Sequence, residues 1–135
     1  MAEFVYLDAS ITINGVDLSN LFSKATLKID VEDKESTTFG AGWKRRVGGL
    51  KDGSVELEFN QDFAASKIDD TFWPLLGTVV PFTIKPTSAA TGTTNPQYAG
   101  TVLVKEYSPL DGSVGDLSKN SVTWPTSGAV TRATT

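Results

Sequence analysis

Leu27-Lys28-Ile29-Asp30-Val31-Glu32 and Val55-Glu56-Leu57-Glu58-Phe59 alternate apolar and charged residues without a break, and between them lies a glycine-rich stretch carrying Trp43-Lys44-Arg45-Arg46. Successive strand side chains point to opposite faces. The pattern therefore predicts two strands with Leu27, Ile29, Val31, Val55, Leu57 and Phe59 on an apolar, core-forming side and Asp30, Glu32, Glu56 and Glu58 on a charged one. Lys28 falls on the charged side too and keeps it from being purely acidic. Directly opposed like charges cost roughly 0.2–1 kcal/mol, so a carboxylate-rich face belongs where water and counterions screen it.

Working outward, strands are expected over 25–32 and 54–60, forming one long antiparallel hairpin closed by Asp52-Gly53, with a flexible loop over about 33–53 that is longer than ordinary connections. Upstream, Ile11-Thr12-Ile13 runs into Asn14-Gly15 and then Val16-Asp17-Leu18, the signature of a short tight hairpin. Downstream, Ile68, Phe72 and Leu76 recur at helical spacing. Asp62 and Ser66 are candidate caps, Pro74 predicts a kink near Thr71, and Gly77 predicts the stop. Further strands are expected over 79–85, 98–107 and 117–124, with a polar, mobile run over 87–96 and a flexible tail over about 126–135. Trp73 and Trp124 read as core anchors. The sum is a mainly β chain of six or seven strands and one helix, an antiparallel β-sandwich or partial barrel, in a single domain over 1–135.

A chain of 135 residues, 39% of them hydrophobic, suits one domain that buries roughly two-thirds of its unfolded surface. Its net charge of −4 argues against whole-surface attraction to nucleic acid or anionic lipid. There is neither cysteine nor histidine. Disulfides and thiolate metal sites are thereby excluded, and a Ser or Thr nucleophile has none of its usual bases. The first residues lack the basic start and apolar core of a signal peptide, so a soluble product made in the cytoplasm, without membrane contact, is expected.

Glu56 and Glu58 lie two strand residues apart, about 7 Å, a spacing that on paper fits an inverting glycosidase. Both are expected to face water beside other acids, with nothing to bury one as a general acid requires, so no enzyme is expected. Gly40-Ala41-Gly42 lacks the third glycine and the Gly-Lys-Ser/Thr ending of a phosphate loop, and no calcium-loop spacing is present. No cofactor and no metal are expected. Trp43 with Lys44, Arg45 and Arg46 has the chemistry to stack on bases and grip phosphates, but the same chain supplies an acidic surface, which favours head-to-tail self-association. An acidic β domain with open sheet edges and a long basic loop has the habits of an assembling subunit.

The segments Ile11-Thr12-Ile13-Asn14-Gly15-Val16-Asp17-Leu18, Phe59-Asn60-Gln61-Asp62-Phe63-Ala64-Ala65, Phe72-Trp73-Pro74-Leu75-Leu76-Gly77 and Ser121-Val122-Thr123-Trp124-Pro125 resemble, in content and order, the major tail tube proteins of bacteriophages with long flexible tails. The resemblance implies a β-sandwich with one flanking helix, assembled as hexameric rings that stack into the conduit for genome delivery; contractile-tail tubes and the type VI secretion tube are relatives. It implies a virion location after assembly in the host bacterial cytoplasm. The implied partners are further copies of the chain, a tape measure protein, tail terminator and distal tail proteins, with double-stranded DNA only in non-specific transit. Lys28, Asp30, Glu32, Glu56 and Glu58 become candidates for the channel lining, where negative charge would keep a polyanion moving. Thr38, Phe39, Trp43, Lys44, Arg45 and Arg46 become candidates for a ring-stacking loop. Two other readings stand beside this one: a carbohydrate-binding β-sandwich using exposed tryptophans, and a single-ring completion or connector subunit.

Overall fold

The computed structural model describes residue 5 and residues 7–135. In chain order the described elements are β1 (Ser10–Ile13), β2 (Val16–Asp17), β3 (Phe22–Glu35), β4 (Arg46–Asn60), the helix α1 (Ile68–Phe72), β5 (Val79–Lys85), β6 (Gln97–Leu103), β7 (Lys119–Pro125) and β8 (Thr131–Ala133). They form two antiparallel sheets, one in the order β2-β1-β5-β6-β8 and one in the order β3-β4-β7.

The predicted early hairpin is present. Asn14 and Gly15 have φ of 51° and 80°, the pair of positive angles that a two-residue hairpin turn demands. Pro81 sits inside the central strand β5 at little cost, because β1 has already turned away there and the Asn14 N–H donates to the Pro81 carbonyl at 2.8 Å. Period-two alternation then sends Ile11 and Ile13, Val80, Phe82 and Ile84, and Val102 inward from one sheet. Ala25, Val55, Leu57, Phe59, Val122 and Trp124 meet them from the other.

α1 closes one end of the core. Ile68 and Phe72 are fully buried, and Phe72 packs edge-on against Phe59 and Trp124, with ring centroids 5.5 and 5.1 Å away. Such aromatic pairs add about 0.5–1.5 kcal/mol beyond the area they bury. Trp124 is a core anchor as expected, but Trp73 is 61% exposed. One residue is about 100° of helix rotation, so Trp73 is carried off the stripe that Phe72 occupies. The helix is also shorter than expected and starts at Ile68 without a side-chain cap. Asp62 and Ser66 serve the turn before it instead: Asp62 accepts from the Ala64 N–H, and the Ser66 N–H donates to Asp70. Pro74 lies in a 3-10 turn, Trp73–Leu75, so the break comes two residues after Thr71.

Three boundaries differ from expectation. β3 and β4 continue through much of the stretch expected as loop, leaving residues 36–45 as the tip, closed by the Ser36 N–H donating to the Arg45 carbonyl at 2.8 Å. Within the stretch expected as tail, β8 adds an edge strand to β6. The strand expected over 98–107 stops at Leu103, because the chain then leaves its sheet to run beside β7. There Trp124 Nε1 donates to the Glu106 carbonyl at 2.9 Å and the Thr123 N–H donates to the Glu106 carboxylate at 2.8 Å. The 87–96 run is organised around Asn95, a buried amide that donates to the Ala89 carbonyl at 2.8 Å and accepts from the Thr87 N–H at 3.1 Å.

Candidate functional site

A projecting arm dominates the surface. β7 pairs with β4 only from Ser54 to Asn60, whereas β3 and β4 stay paired out to Glu35 and Arg46. Beyond Ser54 the sheet is therefore a bare two-stranded ribbon. A lone ribbon is at best marginally stable in water. The arm carries a register shift between Val31 and Asp33, and four of the five ion pairs among the described residues, at 3.0–3.7 Å: Lys28–Asp30, Lys34–Glu32, Lys44–Glu35 and Arg46–Asp33. Each is exposed and contributes at most about 1 kcal/mol.

The expectation that Ile29 and Val31 belong to the core is corrected here. Both point to the apolar side, yet both are about half exposed, because the second sheet does not extend beneath the arm. At the arm's root a groove of about 390 Å3 runs between Ile29 and the chain leaving β7, lined by Gly53, Thr126, Ala129 and Val130. Gly53 is needed there: a Cβ would come within 2.8 Å of Ile29 and 3.0 Å of the Lys28 carbonyl, while the Gly53 carbonyl accepts from the Thr126 N–H at 3.0 Å.

The charged face is real but mixed. Cross-strand register sets Lys24, Thr26, Lys28 and Asp30 on the same side as Glu58, Glu56, Ser54 and Asp52, with Ser121 and Thr123 of β7 completing it. Lys24, which the sequence reading passed over, holds Glu56 at 3.1 Å, and Lys28 holds Asp30 at 3.7 Å. Four carboxylates thus meet two lysines, and Lys119 joins them at the base. Of the expected residues, Lys28, Asp30, Glu56 and Glu58 are brought together. Glu32 lies farther out on the arm, paired with Lys34 at 3.0 Å.

Thr38, Phe39, Trp43, Lys44 and Arg45 all lie on the tip, and Arg46 begins β4. Phe39 and Trp43 are 108% and 88% exposed. Lys44 and Arg46 fold back on Glu35 and Asp33, and among the described residues Arg45 has no carboxylate within ion-pair distance.

Among the described residues two titratable groups are perturbed, both away from the arm. Burial, helped by the Asp69 carboxylate and opposed by the Gln61 amide, pushes the Tyr107 hydroxyl up to about 12; the hydroxyl donates to Asp69 and accepts from Gln61, each at 2.9 Å. The Ser19 hydroxyl and then the Ser19 N–H hold Asp17 below its ordinary value. Both arrangements tie turns together. Among the described residues no three acidic side chains converge as a metal site would require.

These features define an open two-sheet sandwich, not a closed barrel, with one hairpin arm projecting from it. Two solved assemblies contain chains of that fold. One chain in the virion of a native gene transfer agent particle superposes with a TM-score of 0.73 at 14% identity, covering 93% of this chain and 95% of that one. One in the tail of an empty gene transfer agent particle, refined with helical C6 symmetry, superposes with a TM-score of 0.63 at 15% identity, covering 93% of each. No family model and no curated protein matches the chain.

Proposed function

We propose that this chain is a structural tail protein of a phage-like particle, a tube subunit that assembles as hexameric rings and stacks into the conduit through which the genome leaves. The observation that carries this reading is the arm. A two-stranded ribbon with free backbone edges, exposed Ile29 and Val31 and a naked aromatic tip is a poor ending for a monomer and a good one for a subunit whose neighbours supply the missing strands and cover. A likeness of fold to a chain in a six-fold helical tail supports the same symmetry here.

In such a ring the charged face of β3 and β4 lines the channel. Duplex DNA carries about one negative charge per 1.7 Å of axis, and a lysine-rich wall would release counterions and hold it. A wall on which four carboxylates outnumber three lysines, with Lys24 held by Glu56 and Lys28 by Asp30, offers DNA few free cations and a small net repulsion. Self-association is the primary partnership; a tape measure protein inside the tube and terminator and distal proteins at its ends complete the tail.

Electron microscopy of the purified, concentrated protein tests this reading. Six-fold rings and tubes are expected. Monomers at every concentration would overturn it, and isolated rings that never stack would replace the tube subunit with a single-ring connector.

A further inference from the structure

We propose that the arm tip of one subunit docks head to tail on the loop formed by residues 108–118 of a second copy. The inference deepens the tube reading and rests on it. The two surfaces lie at opposite ends of one sheet: Glu35 pairs with Arg46 at the tip, and Asn60 pairs with Lys119 at the base. At about 3.3 Å per residue, the fifteen residues of β4 separate them by about 46 Å, so the loop of one subunit cannot reach the tip of the same subunit.

The two ends are complementary in charge and in apolar character. Residues 36–46 contain Lys44, Arg45 and Arg46 and no acid; Glu35 and Asp33 just behind the tip hold Lys44 and Arg46, Arg45 is the cation left to a partner, and Phe39 and Trp43 are exposed. Residues 108–118 contain Asp111 and Asp116 and no base, and they expose Leu110 at 81%, Val114 at 105% and Leu117 at 68%. Three large apolar side chains offered to water from one short loop mark a surface that is covered in use. The loop is nonetheless held in place. Gln61 donates through Nε2 to the Pro109 carbonyl at 2.7 Å and through its backbone N–H to the Ser118 carbonyl at 3.0 Å, while the Ser118 hydroxyl donates to the Asp111 carbonyl at 2.8 Å. A pinned backbone with outward apolar side chains loses little conformational freedom when a partner arrives.

The expected contact sets Trp43 and Phe39 among Leu110, Val114 and Leu117, with Arg45 on Asp111 or Asp116. Because it joins two different patches, it repeats from copy to copy along the strand direction. It thus supplies the axial bond of a stack, leaving the edges of β3 and β7 for contacts within a ring.

The absence of native cysteine makes cross-linking clean. Ala41→Cys and Ser113→Cys, introduced together, are expected to give a ladder of covalent multimers with a short bismaleimide after assembly; mixing the two single variants should give heterodimers. Charge reversal gives an independent reading: the Asp111→Arg, Asp116→Arg variant should keep its rings and lose tube yield at least tenfold, and adding Lys44→Glu and Arg45→Glu should restore it. Normal tubes from the reversed loop, or normal tubes of the double-cysteine variant with no ladder, would overturn this contact and leave the tube reading standing. A wild-type protein that forms neither rings nor tubes would overturn both.

Discussion

Phe72 on α1 meets Trp124 on β7 edge-on, ring centroids 5.1 Å apart at 73°, and both side chains are fully buried. This contact locks the helix onto the three-stranded sheet and so holds the base of the arm. Removing a buried phenylalanine leaves a cavity, and Phe72→Ala is expected to cost about 3–5 kcal/mol. Trp73→Ala, at the next residue but exposed, should stay within about 0.5 kcal/mol of wild type. Paired urea unfolding curves check the contrast, and equal losses would contradict the packing described.

Ile29 and Val31 offer the opposite case. Since both are half exposed in the isolated subunit, Ile29→Asp with Val31→Asp is expected to change unfolding free energy by less than about 1 kcal/mol. Assembly should fail all the same, because the apolar side of the arm would carry two buried, unpaired carboxylates once a neighbour covered it. Calorimetry together with sedimentation reads the two effects separately.

Replacing Glu56 and Glu58 by Lys reverses the balance on the charged face and frees Lys24 from its carboxylate. Folding should be nearly unaffected, since exposed pairs contribute about 0–1 kcal/mol. Tubes should assemble at normal yield while genome release from particles built with them slows at low salt and recovers as salt rises. Release kinetics unchanged by the substitution would argue against this face lining the channel.

Tyr107 predicts an alkaline limb. Its folded pKa of about 12 lies above the ordinary 10, so folding favours the protonated hydroxyl. The associated stability is complete below pH 10 and is lost between pH 10 and 12, as the unfolded chain releases a proton that the folded one retains. Tyr107→Phe should flatten the pH dependence of stability in that window while costing little at neutral pH beyond the hydrogen bonds to Gln61 and Asp69. Thermal melts at pH 7, 10 and 11 check the sign.

Asn95 anchors its loop from inside. Asn95→Ala removes a buried amide that serves the Thr87 N–H and the Ala89 carbonyl, leaving both unsatisfied, at an expected cost of about 1–3 kcal/mol. Limited proteolysis within residues 87–96 should accelerate accordingly.

Much of this was legible in local sequence. Asn14-Gly15 announces its hairpin because two positive φ angles are required there, and few other pairs supply them. Alternation over 27–32 and 55–59 assigns each side chain to a face because strand geometry has period two wherever a strand runs. What local pattern cannot say is whether a face has anything above it. Leu57 and Ile29 carry the same signal, yet Leu57 is buried and Ile29 is not, because the second sheet covers the base of the first and does not extend beneath the arm.

The candidate site divides in the same way. The basic aromatic tip stood out as a cluster of neighbouring residues. Lys24, four residues ahead of Lys28, carried no marker of its own and gained a partner only when register brought it beside Glu56. Nothing in local sequence links the 108–118 loop to the tip; the pairing of Asn60 with Lys119 sets it at the far end of the sheet.

Alternation, turn chemistry and charge counts, which act over a few residues, determined by themselves that this chain makes amphipathic strands and one basic tip. Burial, the pairing of Lys24 with Glu56 and the opposition of the two ends join residues far apart in the chain, and only strand register and the packing of two sheets of unequal length decided them.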